Sequence, residues 1–230
     1  AGQLPHEGAV RIEEMVNYFP YDYPAPEVGE VPFEPTLSVT PTPWNPDTGL
    51  LHIAIQGVQP AIEDRPPLNL VFLIYTSGSM AQRDKLPLLK QAFALMLPQL
   101  SAQDQVAIVT YAGSAGEVLA ATPGSDRGTI GAALDRLDAG GSTAGQAGLQ
   151  QAYGVAEAMA DEGEVTRVIL ATDGDFNVGL SDPDALKDYI ATKRAGGTYL
   201  SVMGFGRGNL DDTTMQALAH DAYGDVLFDV

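Results

Sequence analysis

Asn69-Leu70-Val71-Phe72-Leu73-Ile74-Tyr75-Thr76-Ser77-Gly78-Ser79-Met80 decides the fold. An apolar run ends in a small, hydroxyl-rich turn, and a helical pattern follows. A buried parallel strand hands the chain to a loop and a crossover helix in this way. Ligands of open α/β sheets lie outside the carboxyl ends of such strands. Ser77 and Ser79 make that mouth oxygen-rich, and Tyr75 stands out of place where strand meets loop.

The rhythm repeats outward from this stretch. Strands are expected over 68–75, 105–111, 117–120, 167–171, 198–205 and 226–230. Helices are expected over 84–97, 126–137, from the 140–145 loop to about 162, from Asp182-Pro183 onward, and over 209–220. Pro87 suits a first helical turn, and Asp182-Pro183 reads as an N-cap followed by proline. Alternating strands and helices with Val/Ile/Leu-rich strand cores predict an α/β fold. Its centre is a doubly wound, mainly parallel six-stranded sheet flanked by helices.

The N-terminal part differs. Ile12, Met15, Val16 and Phe19 fall on one face of a short amphipathic helix. Prolines crowd residues 20–35, which favours an extended path, and Tyr21, Tyr23 and Phe33 suggest that this path packs along a surface. Strands are expected over 36–40 and 50–58, joined by the turn-rich Pro41–Asp47 segment, with Trp44 read as an anchor. Arg65-Pro66-Pro67 closes the region. The expected domains are 1–65, a small α+β extension, and 66–230, the main domain.

The 230 residues carry a formal charge of −18, which excludes the basic footprint of a nucleic-acid binder and suits cations or a basic partner. There is no cysteine, which excludes disulfides and thiolate metal sites. No segment approaches the length of a membrane span. Position 1 reads as mature or trimmed sequence, so a missing leader carries no weight.

Three strand-to-helix loops carry oxygen side chains: Thr76-Ser77-Gly78-Ser79, Gly140-Gly141-Ser142-Thr143 and Thr172-Asp173-Gly174-Asp175. If all lie at the carboxyl edge, Ser77, Ser79, Thr143 and Asp173 converge. Hydroxyls and a carboxylate are hard donors, suited to Mg²⁺ or Mn²⁺. One such loop is generic turn chemistry; three in this order are specific. His6, His52 and His220 form no ligand spacing. Gly-x-Ser-x-Gly is absent, so a serine hydrolase is not expected.

These loops resemble the metal-ion-dependent adhesion site of von Willebrand factor type A domains, whose pattern is Asp-x-Ser-x-Ser, then a Thr, then the Asp of a Thr-Asp-Gly turn. Arg11–Phe19, Pro43-Trp44-Asn45, Val109–Gly113, Gly140–Gly145 and Ile169–Gly179 further resemble a bacterial subfamily with a preamble before that domain. The resemblance implies a Rossmann-like sheet and a non-catalytic protein-interaction or adhesion module. It also implies a bacterial envelope or extracellular location, periplasmic or lipid-anchored. In an active site a partner's carboxylate would complete the coordination of a Mg²⁺ or Mn²⁺ held by Ser77, Ser79, Thr143 and Asp173.

The departure is Tyr75, where the family has Asp. A phenol with a pKa of about 10 supplies no negative charge at neutral pH. The expectation is therefore a degenerate site with low metal occupancy. Asp175 is a possible auxiliary ligand, and Asp84 another. The alternative is a working Mg²⁺-dependent adhesion site. A remote alternative is a flavodoxin-like FMN-binding redox domain, since Tyr75–Ser79 faintly resembles its phosphate loop; the second and third loops argue against it.

Overall fold

The computed structural model describes residues 15, 18–27, 29, 31–59, 65–112, 114–140, 145–174, 183–206 and 226–228. Backbone packing divides the chain into two units, Ala1–Arg65 and Pro66–Val230.

In the first unit β1 (Phe33–Thr42) and β2 (Asn45–Gly57) form a two-stranded antiparallel hairpin. The strands run longer than the sequence suggests, and Pro43-Trp44 alone makes the turn. Pro41 and Pro46 lie inside the strands. Both strands of a ribbon are edges, so a missing N–H can face outward, and the pairing shifts between Pro41 and Thr42. Leu37 opposes Ile53 and Val39 opposes Leu51. This apolar face is largely exposed, as is Trp44. Tyr21 stacks on Tyr23 at 5.3 Å, and the Tyr23 hydroxyl meets His52 Nε2 at 3.1 Å, so the Pro/Tyr stretch does pack along the hairpin. Most of the expected first helix lies outside the described residues.

The second unit holds a six-stranded sheet of order β5-β4-β3-β6-β7-β8. Its strands are β3 (Leu68–Tyr75), β4 (Gln105–Ala112), β5 (Ser114–Pro123), β6 (Val165–Thr172), β7 (Thr198–Gly204) and β8 (Val226–Phe228). Only the β4–β5 pair is antiparallel. The helices are α1 (Leu86–Met96), α2 (Arg127–Asp135), α3 (Gly145–Met159) and α4 (Pro183–Ala195). The expected helix over 209–220 lies outside the described residues, as does Asp182.

Alternation along β3 separates the two helical layers. Phe72 meets Phe93 of α1 edge-on, with ring centroids 4.1 Å apart. Leu73 points the other way, toward Gly148 of α3. α2 lies with α1: the Lys90 ammonium donates to the Asp135 carbonyl at 3.0 Å. α4 lies with α3, where Tyr189 meets Tyr153 edge-on at 5.6 Å. The sheet between them is the core; Val71, Leu73, Ile74, Ala107, Ile108, Val109, Val168 and Leu170 are fully buried. β3 hands the chain to β4 on one side, and β6 returns on the other. Strand direction of travel therefore reverses at the β3–β6 boundary, the place where open α/β sheets bind ligands.

Candidate functional site

The loops after β3 and β6 leave the sheet at that boundary. The first is not a simple turn. Ser77 is extended (φ −64°, ψ 161°), and Gly78–Ala81 form a 3-10 turn, closed by the Met80 N–H donating to the Ser77 carbonyl at 2.9 Å. Met80 is fully buried and anchors it. The Thr76 N–H donates to the Tyr111 carbonyl at 3.3 Å, and the Thr76 carbonyl accepts from the Gly140 N–H at 2.7 Å. The first loop is thus tied to β4 and to the start of the second loop by backbone.

Of the sequence-derived residues, Tyr75, Ser77, Ser79 and Asp173 stand at this edge; Thr143 and Asp175 lie outside the described residues. Ser77 is half-exposed and Asp84 exposed. The Ser79 hydroxyl is buried and has no hydrogen-bond partner. Asp173 is fully buried. Its Oδ2 accepts from Lys85 Nζ at 2.8 Å, with the two side chains 0% and 6% exposed, while its Oδ1 has no partner.

Lys85 is the residue that sequence reading missed. It falls within the helix expected over 84–97, yet it precedes α1 with non-helical backbone (φ −123°, ψ −111°). Its side chain is buried across the mouth of the sheet. The Phe205 N–H donates to the Thr172 carbonyl at 2.9 Å and carries the chain past this point to Gly206. A Cβ on Gly206 would lie 2.5 Å from Lys85 Cε, and the glycine φ is +92°. Gly206 therefore supplies both an unusual backbone shape and the space for the lysine stem.

Tyr75 fills the position of the family carboxylate with a buried ring, 2% exposed. It lies against Tyr111, its register partner on β4. Burial holds the Tyr111 hydroxyl well above its ordinary pKa. The Thr172 side chain acts the other way, and Tyr75 and Asp173 add to the rise. No regular hydrogen bond satisfies that hydroxyl.

The described donor set is one carboxylate, already joined to an ammonium, beside two serine hydroxyls. That chemistry does not fit a divalent cation. A hydrated ion would have to displace Lys85 or share its single anion, and neutral hydroxyls compete poorly with water. Among the described residues no group of three His, Cys, Asp or Glu side chains is placed to hold a metal.

The sequence matches the von Willebrand factor type A domain family over residues 70–175 and a von Willebrand factor family over residues 1–52. It is 42% identical over 224 residues to the "Uncharacterized protein YfbK" of Escherichia coli (strain K12), an alignment covering 95% of this chain and 39% of that relative. The chain thus spans well under half of that relative's length. Among solved structures, a von Willebrand factor type A protein from Catenulispora acidiphila superposes with a TM-score of 0.60 at 22% identity, over 79% of this chain and 41% of that one. Proximal thread matrix protein 1 from the mussel byssus, with a zinc-occupied MIDAS motif, gives 0.56 at 22% identity, over 71% and 42%. At such identities the likeness shows the fold. The chain belongs to the von Willebrand factor type A domain family.

Proposed function

We propose that this chain is a non-catalytic protein-interaction module of a bacterial envelope or extracellular protein, whose loop face works without a divalent ion. Von Willebrand factor type A domains generally serve as interaction modules, which supports the first half. The observation that carries the second is the buried ring of Tyr75 in the place of an acidic side chain. With a phenol rather than a carboxylate at position 75, Asp173 is the one carboxylate of the proposed set of Ser77, Ser79, Thr143 and Asp173. The partner is another protein. The charge of −18 favours one with a basic surface.

Isothermal titration with Mg²⁺ and Mn²⁺ tests the metal-free reading. No binding tighter than about millimolar is expected, the range of weak all-oxygen cation sites. Micromolar binding that Asp173→Ala abolishes would overturn it and restore a metal-dependent adhesion site, with a partner carboxylate as its ligand.

A further inference from the structure

We propose that the cation of this loop site is a side chain: the Lys85 ammonium provides, from within the chain, the positive charge that faces Asp173. The proposal rests on the metal-free reading above and adds what stands in the metal's place.

The pair is too deep to be incidental. Lys85 Nζ lies 2.8 Å from Asp173 Oδ2, with 6% and 0% of the two side chains exposed. Exposed pairs form and break with little effect on stability, whereas removing one partner of a buried pair strands a charge in a low-dielectric setting. The fold also reserves a slot for the lysine. Cε, Cδ and Cγ would all lie within 3.4 Å of a Cβ at Gly206, so the stem runs along bare backbone. Lys85 stands outside the helical geometry of α1 to reach this slot.

Charge arithmetic links Lys85 to Tyr75. In the present chain, Tyr75, Lys85 and Asp173 sum to zero, so the buried group is balanced without any ion. A divalent cation added here would leave a net charge of +2 among groups shielded from water, which is strongly unfavourable. An acidic residue at position 75 would make the sum −1 with Lys85 present and −2 without it. Only the last matches a divalent ion. With a phenol at position 75, the Lys85 ammonium balances the one carboxylate that remains, Asp173.

The 230-residue chain and its Tyr75→Asp and Tyr75→Asp/Lys85→Met variants are titrated with Mn²⁺ by calorimetry. The double variant is expected to bind at least about tenfold more tightly than Tyr75→Asp alone, by the charge difference above. Equal affinity of the two variants, or absence of binding to both, overturns the proposal. The unsubstituted chain in the same series tests the underlying reading separately, since micromolar Mn²⁺ binding there defeats the metal-free site itself. A thermal-unfolding cycle guards against misfolding. Lys85→Met/Asp173→Asn is expected to melt above Lys85→Met, because neutralising Asp173 removes the stranded charge. If the two behave alike, or neither folds, Lys85 does not act through Asp173 and the proposal falls.

Discussion

The rings of Tyr75 and Tyr111 lie 5.0 Å apart with planes tilted by 34°, at opposed positions on β3 and β4. Two large aromatics therefore pack side by side at the carboxyl ends of β3 and β4. Their contact is part of the core: both rings are essentially inaccessible to solvent.

Tyr75→Ala removes one of these rings and leaves a cavity under the first loop. By analogy with other buried aromatic truncations, it is expected to cost about 3–5 kcal/mol, a fall in Tm of roughly 10 °C for a domain of this size. Differential scanning calorimetry reads this directly. A change below about 1 kcal/mol would show that the ring is not packed as described.

Gly148 brings α3 onto the same cluster. A Cβ there would lie 2.6 Å from Tyr111 Cβ and 3.1 Å from its Cγ, with Leu73 Cδ1 at 3.4 Å. Gly148→Ala is expected to destabilise by about 1–3 kcal/mol through overpacking. Gly154 lies on the exposed side of the same helix with nothing within 4 Å of its Cβ position. Gly154→Ala is expected to stabilise by about 0.5–1 kcal/mol through helix propensity. Denaturant midpoints of the two variants should move in opposite directions.

Alkaline pH acts on this same layer, where Tyr153 of α3 meets Tyr189 of α4. Burial raises the hydroxyls of Tyr153 and Tyr189 above their ordinary value; for Tyr189 the neighbouring Lys193 opposes the rise and Glu157 adds to it. Each folded pKa is raised, so the folded state keeps its proton where the unfolded chain releases it. That stability is fully present below about pH 10 and declines above it. Lys193, raised through its hydrogen bond to Glu157, acts in the same direction. Denaturant midpoints should be flat from neutrality to about pH 9 and fall from about pH 10 upward. Tyr153→Phe, which also deletes a buried hydroxyl without a partner, should lessen the fall and cost little at pH 7.

The sheet was legible because its strands announce themselves locally. Leu68–Tyr75 and Gln105–Ala112 are apolar runs buried on both faces, Val165–Thr172 is buried on one face and half-buried around Arg167 on the other, and each ends in small or polar turn residues. The hairpin was less legible. Pro41 and Pro46 argue against strand in a central position, and sequence does not say that a strand has no neighbour on one side. Lys85 was not legible at all. Its partner is 88 residues away, it falls in helical period with Leu86 and Leu89, and only the burial of Asp173 gives it a role. The one available hint was a lysine beside a loop of an acidic chain, which by itself reads as a solvated charge.

The backbone bonds from Thr76 to Tyr111 and Gly140 have a consequence for affinity. A loop that must order itself on contact gives up part of the binding energy to lost conformational freedom. The Ser77–Ala81 turn is already held at its base by one hydrogen bond to β4 and one to the start of the second loop, and at its centre by buried Met80. Its ordering is completed when the domain folds. On the proposed reading, a partner docking on this loop would meet a preordered template, and its selectivity would rest on shape, with mismatched surfaces rejected rather than accommodated.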